Sequence, residues 1–210
     1  MNRSAMFPFV RAIAIAAAPA LLLAACSAQP APEPPLAGAQ IGGEFTLVDK
    51  AGNTVRWSQF DGSWRTIYFG YTFCPDACPT DMAVLMKGFR LFEKSHPDLA
   101  AKVQPLFVTI DPARDSAEVI SKYVESFVPT AHGLRTDDDA VLREVTDVFG
   151  VTFMVTTGDS GDVEVSHSGA MYVVDETGKL VLTWPFGVTA DDVAADLEVI
   201  LGEIDDGADA

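Results

Sequence analysis

The chain has 210 residues, with 30 Asp and Glu against 14 Lys and Arg, and a formal net charge of −16. So acidic a surface argues against the Lys- and Arg-lined grooves that hold nucleic-acid phosphates; it leaves room for cations or basic proteins as partners, or serves solubility alone. The length suits one domain with a sizeable core, and no internal repeat is visible.

In chain order, the first segments are not part of a fold. Arg3 and Arg11 give a basic start, and from Ala12 to Ala25 every residue is apolar, small or proline. That run falls short of the ~20 residues of a membrane span and suits the apolar region of a secretory signal, ~7–15 residues long. It ends Leu23-Ala24-Ala25-Cys26, which resembles the lipobox of bacterial lipoproteins, where the cysteine receives lipid and becomes the mature N-terminus. The alternative is a signal peptide cut nearby, with Cys26 incidental. Residues 1–25 are therefore expected to be a lipoprotein signal peptide, with the product exported and lipid-anchored to the bacterial membrane, facing the periplasm. Residues 26–40 carry Pro30, Pro32, Pro34 and Pro35 and read as an extended linker. The folded domain is expected over 41–204, with an acidic tail at 205–210.

Within the domain, "FTLVDKAGNTVRW" predicts a hairpin turning at Lys50 to Asn53. "RTIYFGYT" predicts a buried strand. A loop with two cysteines follows, and then Met82, Leu85, Met86, Phe89 and Phe92 fall at helical spacing until His96-Pro97. "KVQPLFVTID" predicts a strand, and "DSAEVISKYVESF" a helix capped by Asp115 or Ser116. "DDDAVLREVTDVFG" predicts a helix started by acids and stopped by Gly150. "VTFMVTTGDSGDVEVSHSG" predicts a hairpin or extended insertion, "AMYVVDETGKLVLTW" a hairpin around Glu176 to Gly178, and "TADDVAADLEVILGEI" a closing helix. Alternating strands and helices with a terminal hairpin make this an α/β fold around a central mixed sheet flanked by helices.

The cysteines, Cys74 and Cys78 in "YTFCPDACPT", fall between the first buried strand and its helix, where such folds collect ligands and chemistry. A thiol at a helix N-terminus is expected to have a lowered pKa. With Cys26 lipidated, this pair would be the only thiols left, free to close a disulfide in an oxidising compartment. Disulfide exchange, a soft metal and packing all remain open, although a proline after each cysteine is poor packing material.

Beyond spacing, the chain resembles the Sco/SenC proteins, copper-binding thioredoxin-like proteins of cytochrome c oxidase assembly. The resemblance runs over about Ile41 to Gly187, through "IGGEFTLVD", "YFGYTFCPDACPTDM", "FVTIDPARDS", "KYVESF", "GLRTD" and "VSHSGAMYVVDETGKLV". It implies a thioredoxin-like fold, with the N-terminal hairpin and β insertion added, and one copper ion, Cu(I) or Cu(II), held by Cys74, Cys78 and His167. Many members carry an aspartate before that histidine, where this chain has Ser166. The resemblance also implies, as partners, the copper-site subunit of the oxidase and another periplasmic copper carrier, and it favours the inner membrane.

Residue chemistry runs in parallel. Thiolates suit Cu(I) and imidazole also suits Cu(II), whereas zinc wants a fourth ligand. Asp76, between the cysteines, reads as an exposed loop residue. His96 and His132 read as surface or capping residues, Asp111-Pro112 with Arg114 as a strand-end turn, and Trp184, Phe186 and the methionines as core or rim. The resemblance implies a copper chaperone, a metallochaperone rather than an enzyme. The alternative is a thiol–disulfide oxidoreductase that keeps the oxidase's copper-site cysteines reduced, with Cys74 and Cys78 as its redox pair. A peroxidase-like antioxidant is a third reading. Three residues between the cysteines, where thioredoxin-type reductants have two, and no proline in Val165 to Gly169 favour metal transfer.

Overall fold

The hydrophobic periods of the sequence become elements almost in the order expected. The computed structural model describes residues 42–208 apart from 129 and 160, so Cys26 and the expected signal and linker lie outside the described residues. The described residues fall in one compact unit.

Strands β1 (Thr46–Val48) and β2 (Thr54–Arg56) pair antiparallel as the first hairpin. The Asp49 side chain closes its turn by accepting the N–H groups of Ala51 and Asn53. A 3₁₀ turn at Trp57–Phe60, not expected from the sequence, then drops Trp57 and Phe60 into the core. Strand β3 (Trp64–Gly70) is buried at every residue, as a strand covered on both faces must be, and this includes Arg65, whose guanidinium lies over the Trp57 ring and donates to Asp61.

Helix α1 (Ala77–Ser95) follows the cysteine loop, and all five of its periodic apolar residues are buried. His96 separates it from a short helix α2 (Pro97–Ala100), and its Nε2 lies 3.3 Å from Glu198 Oε1. Next come β4 (Val103–Thr109), α3 (Ala117–Phe127), β5 (His132–Leu134) and α4 (Asp139–Val148). Gly150 takes the left-handed backbone (φ 65°) that ends α4. The chain finishes with β6 (Phe153–Thr157), β7 (Val163–His167), β8 (Met171–Val174), β9 (Leu180–Trp184) and α5 (Ala190–Ala208).

The central sheet has the order β5-β4-β3-β8-β9. Strands β3, β4 and β5 run parallel, while β8 and β9 are antiparallel. This is the mixed, helix-flanked sheet of a thioredoxin-like fold. Among the described strands, β6 and β7 pair only with each other, as the expected insertion.

Two details differ from expectation. His132, read as a surface or capping residue, instead begins β5, is half-buried, and its Nε2 meets Gln104 Oε1 at 3.1 Å. A three-residue strand containing a glycine carries too little periodicity to announce itself. Of the two candidate caps of α3, Ser116 takes the role by accepting the Val119 N–H. Asp115 is completely buried and accepts hydrogen bonds from the Thr72 N–H (3.0 Å), the Thr72 hydroxyl (2.5 Å) and the Thr109 hydroxyl (2.6 Å). The exits of β3 and β4 are thereby fastened together directly before the cysteine loop.

Helix α1 packs against α5 through Gly88, where an added Cβ would lie 2.6 Å from Val193 Cβ and 2.7 Å from the Ala190 carbonyl oxygen. Gly88→Ala gains about 1 kcal/mol of helix propensity, but overpacking costs about 1–3 kcal/mol. We therefore expect a net loss of stability in urea denaturation; a variant more stable than wild type would contradict this packing.

Candidate metal centre

The site forms where the chain leaves β3. Gly70 lets the backbone run close to the first turn of α1: a Cβ there would lie 2.9 Å from the Tyr68 ring and 3.3 Å from Cys78 Sγ. The loop turns back as the Cys74 N–H reaches the Tyr71 carbonyl, and the Asp76 carbonyl accepts both the N–H and the hydroxyl of Thr80. Pro79 sits in the first helical turn, where a missing N–H leaves no hydrogen bond unmade. Asp76 is exposed, as expected of a loop residue.

His167, the last residue of β7, arrives from the opposite direction. Its Nδ1 lies 2.9 Å from the Ser168 carbonyl oxygen, which can only accept, so Nδ1 carries the proton. Nε2, the other ring nitrogen, stands 3.4 Å from Cys78 Sγ. The ring is flanked edge-on by Tyr68 and Tyr71.

The two thiols are unlike. Cys78 is fully buried, and burial pushes its pKa up to about 12. Cys74 is half-buried at the mouth. Burial raises its pKa too, but this is outweighed by hydrogen bonds to its sulfur from the backbone N–H groups of Cys78 and Asp76, the Cys78 thiol and the Tyr71 hydroxyl, so the net shift is downward. The Cys78 N–H donates to Cys74 Sγ at 3.3 Å. The helix-terminus argument therefore fails for the cysteine inside the helix, where desolvation wins, and the lowered thiol is the one in the loop.

The structure thus brings Cys78 and His167 into contact and places Cys74 beside Cys78. Both cysteines are free thiols. Among the described residues, no three His, Cys, Asp or Glu side chains are gathered closely enough to hold a metal ion as they stand. A cleft of about 480 Å³ opens over the group, walled by Tyr71, Cys74, Pro75, Asp81, Ser166, His167 and the exposed Phe186.

Sequence reasoning missed three groups here. Asp81, 4 % exposed, accepts the Tyr68 hydroxyl at 3.0 Å, and burial raises its pKa. An acid beside Met82 on the apolar face of a helix was the available signal. Tyr68 and Tyr71 look in sequence like ordinary strand aromatics, and only the fold shows them flanking His167.

The SCO1/SenC family model matches residues 33–202. A SCO2-like protein of Rickettsia felis is 35% identical over 158 residues, covering 70% of this chain and 75% of the relative. The structure of Arabidopsis thaliana ScoI with copper bound matches with a TM-score of 0.70 at 28% identity, covering 79% of this chain and 99% of that one. Copper-bound ScoI of Bradyrhizobium japonicum matches with a TM-score of 0.66 at 33% identity, covering 76% and 98%. The family match spans every strand of the fold and both faces of the cysteine–histidine site, and the chain belongs to the SCO1/SenC family.

Proposed function

We propose that this protein is a copper chaperone that holds one copper ion through Cys74, Cys78 and His167 and helps assemble the dinuclear copper centre of cytochrome c oxidase. The observation that carries the reading is His167 Nε2 facing Cys78 Sγ at 3.4 Å, with the other ring nitrogen pinned to a carbonyl. A ligating imidazole is normally oriented by such a bond on its second nitrogen. Two thiolates and one imidazole suit copper in both oxidation states. The copper-bound relatives from Arabidopsis and Bradyrhizobium support the same cargo.

In this reading the ion enters through the cleft, Cys74 turns from the Cys78 amide toward it, and Cys78 gives up its proton as the ion binds. Uptake is therefore coupled to proton release. The ion is passed in by another periplasmic carrier and passed on to the copper-site subunit of the oxidase. Tethering through Cys26 on the periplasmic side of the inner membrane belongs to this proposal and rests on the lipobox resemblance alone.

One observation favours a second reading. A half-exposed thiol of lowered pKa beside a buried one of raised pKa is the arrangement of an attacking and a resolving cysteine. As a thiol–disulfide oxidoreductase, Cys74 thiolate would attack a target disulfide and release one target thiolate. Cys78 would then displace the other and close a Cys74–Cys78 disulfide, leaving the target with two thiols. The two readings use the same sulfurs.

Titration of the reduced full chain with Cu(I) against a chromophoric chelator should give one ion per chain. Cys74→Ala or Cys78→Ala should weaken binding by more than about 100-fold, beyond the effect of an outer-sphere change. A single-cysteine variant of wild-type affinity would refute the ligand set. Alkylation of the metal-free reduced chain across pH should modify Cys74 first, at a pH below the ordinary thiol pKa of about 8.5. Cys78 should resist until far more alkaline conditions, and simultaneous or reversed modification would contradict the described thiol environments.

A further inference from the structure

Asp111-Pro112-Ala113-Arg114 looks in sequence like a turn after a strand, yet in the structure Arg114 bridges three segments. Its Nε donates to Asp111 Oδ2 at 2.5 Å, and the Asp111 N–H is itself fixed by the Thr109 hydroxyl at 3.0 Å. Its guanidinium lies over the rings of Tyr71 and Phe73, 5.8 and 5.3 Å from their centroids, within cation–π range. Those rings belong to the loop that carries Cys74. Nη1 donates to the Val163 carbonyl at 3.5 Å. Tyr71 repeats the link, its hydroxyl donating to the Val165 carbonyl at 3.2 Å.

Val163, Val165 and His167 alternate along β7, so the first two carbonyls lie on one edge of the strand that ends in the histidine. That hairpin has no ladder to the central sheet: among the described strands, β6 and β7 pair only with each other. Besides the packing of Phe153 and Val165 on the core and the three-residue link from His167 to β8, side-chain tethers hold it against the cysteine loop, and Arg114 and Tyr71 supply two of them along the edge leading to His167.

We infer that Arg114 is a positioning residue: paired with Asp111 and stacked on Tyr71 and Phe73, it sets the β6–β7 hairpin against the cysteine loop and so fixes the approach of His167 to Cys78. The consequence for metal rests on the proposed role of His167 as a ligand, whereas the consequence for Cys78 does not.

The test uses the full chain with Arg114→Leu and Arg114→Lys, and a readout that needs no metal. In a Cys74→Ser background, alkylation of Cys78 should be accelerated at least about tenfold by Arg114→Leu, because the hairpin that covers the thiol opens locally. Arg114→Lys should restore much of the protection, since an ammonium can still pair with Asp111 and sit over the rings. In the Cu(II)-loaded chain with both cysteines, Arg114→Leu should lose the nitrogen hyperfine coupling of the imidazole while keeping thiolate absorption. Wild-type Cys78 protection in a cooperatively folded Arg114→Leu variant would overturn the inference. If Arg114→Leu does not fold, Tyr71→Phe removes only the hydroxyl tether, and it must likewise expose Cys78 or the inference fails. Absence of nitrogen coupling in the wild-type chain would count against His167 as a ligand and would leave the alkylation result to decide the role of Arg114.

Discussion

A carboxyl group with no access to solvent, Asp115, holds the functional end of this fold together. Burying such a group costs several kcal/mol unless hydrogen bonds replace its water. Here they come from Thr72, at the exit of β3, and from Thr109, at the exit of β4. The Asp115 carbonyl also accepts Arg135 Nε at 3.1 Å, which brings in the segment just after β5. The exits of three parallel strands are thus referred to one residue, and the cysteine loop departs from that fixed point. Everything the site does depends on where Tyr71 to Cys78 start.

From there the site is a study in unequal environments. Cys78 lies inside the first turn of α1 with Gly70 and the Tyr68 ring against it, so desolvation governs its proton. Cys74 stays at the mouth, where backbone N–H groups stabilise its charged form. Buried Asp81 lines the pocket beside Ser166 and His167 and is held by the hydroxyl of buried Tyr68. In the proposed copper site, an ion entering this cleft would meet Cys74 at the mouth before the more deeply buried Cys78.

Much of the architecture was legible because long periodic segments announce themselves. The strands of the central sheet other than β5, helices α1, α3, α4 and α5, and the three hairpins all follow apolar spacing and turn residues. The 3₁₀ turn and β5 did not, being too short for a period. At the site, the cysteines stood out by spacing, while His167 drew notice through family resemblance, since one histidine carries no pattern of its own. Arg114, Tyr71 and Asp81 stayed hidden because each acts across the fold. Arg114 meets Val163 across 49 positions, and Tyr71 meets Val165 across 94. The raised pKa of Cys78 stayed hidden as well: a helix terminus, which favours a lowered thiol pKa, is visible in sequence, but the depth of burial is not.

The central claim, that the site handles copper rather than only exchanging disulfides, is tested most directly by His167→Ala. Exchange chemistry needs only the two sulfurs, whereas metal handling needs the imidazole as well. The variant should be produced in cells lacking the wild-type protein, with folding verified by thermal unfolding and the dithiol by thiol titration. Oxidase activity is then the measurement. The account predicts a folded protein with an intact dithiol that fails to restore the oxidase. Full restoration by a folded His167→Ala protein that cannot hold copper would contradict it and leave thiol–disulfide exchange as the function.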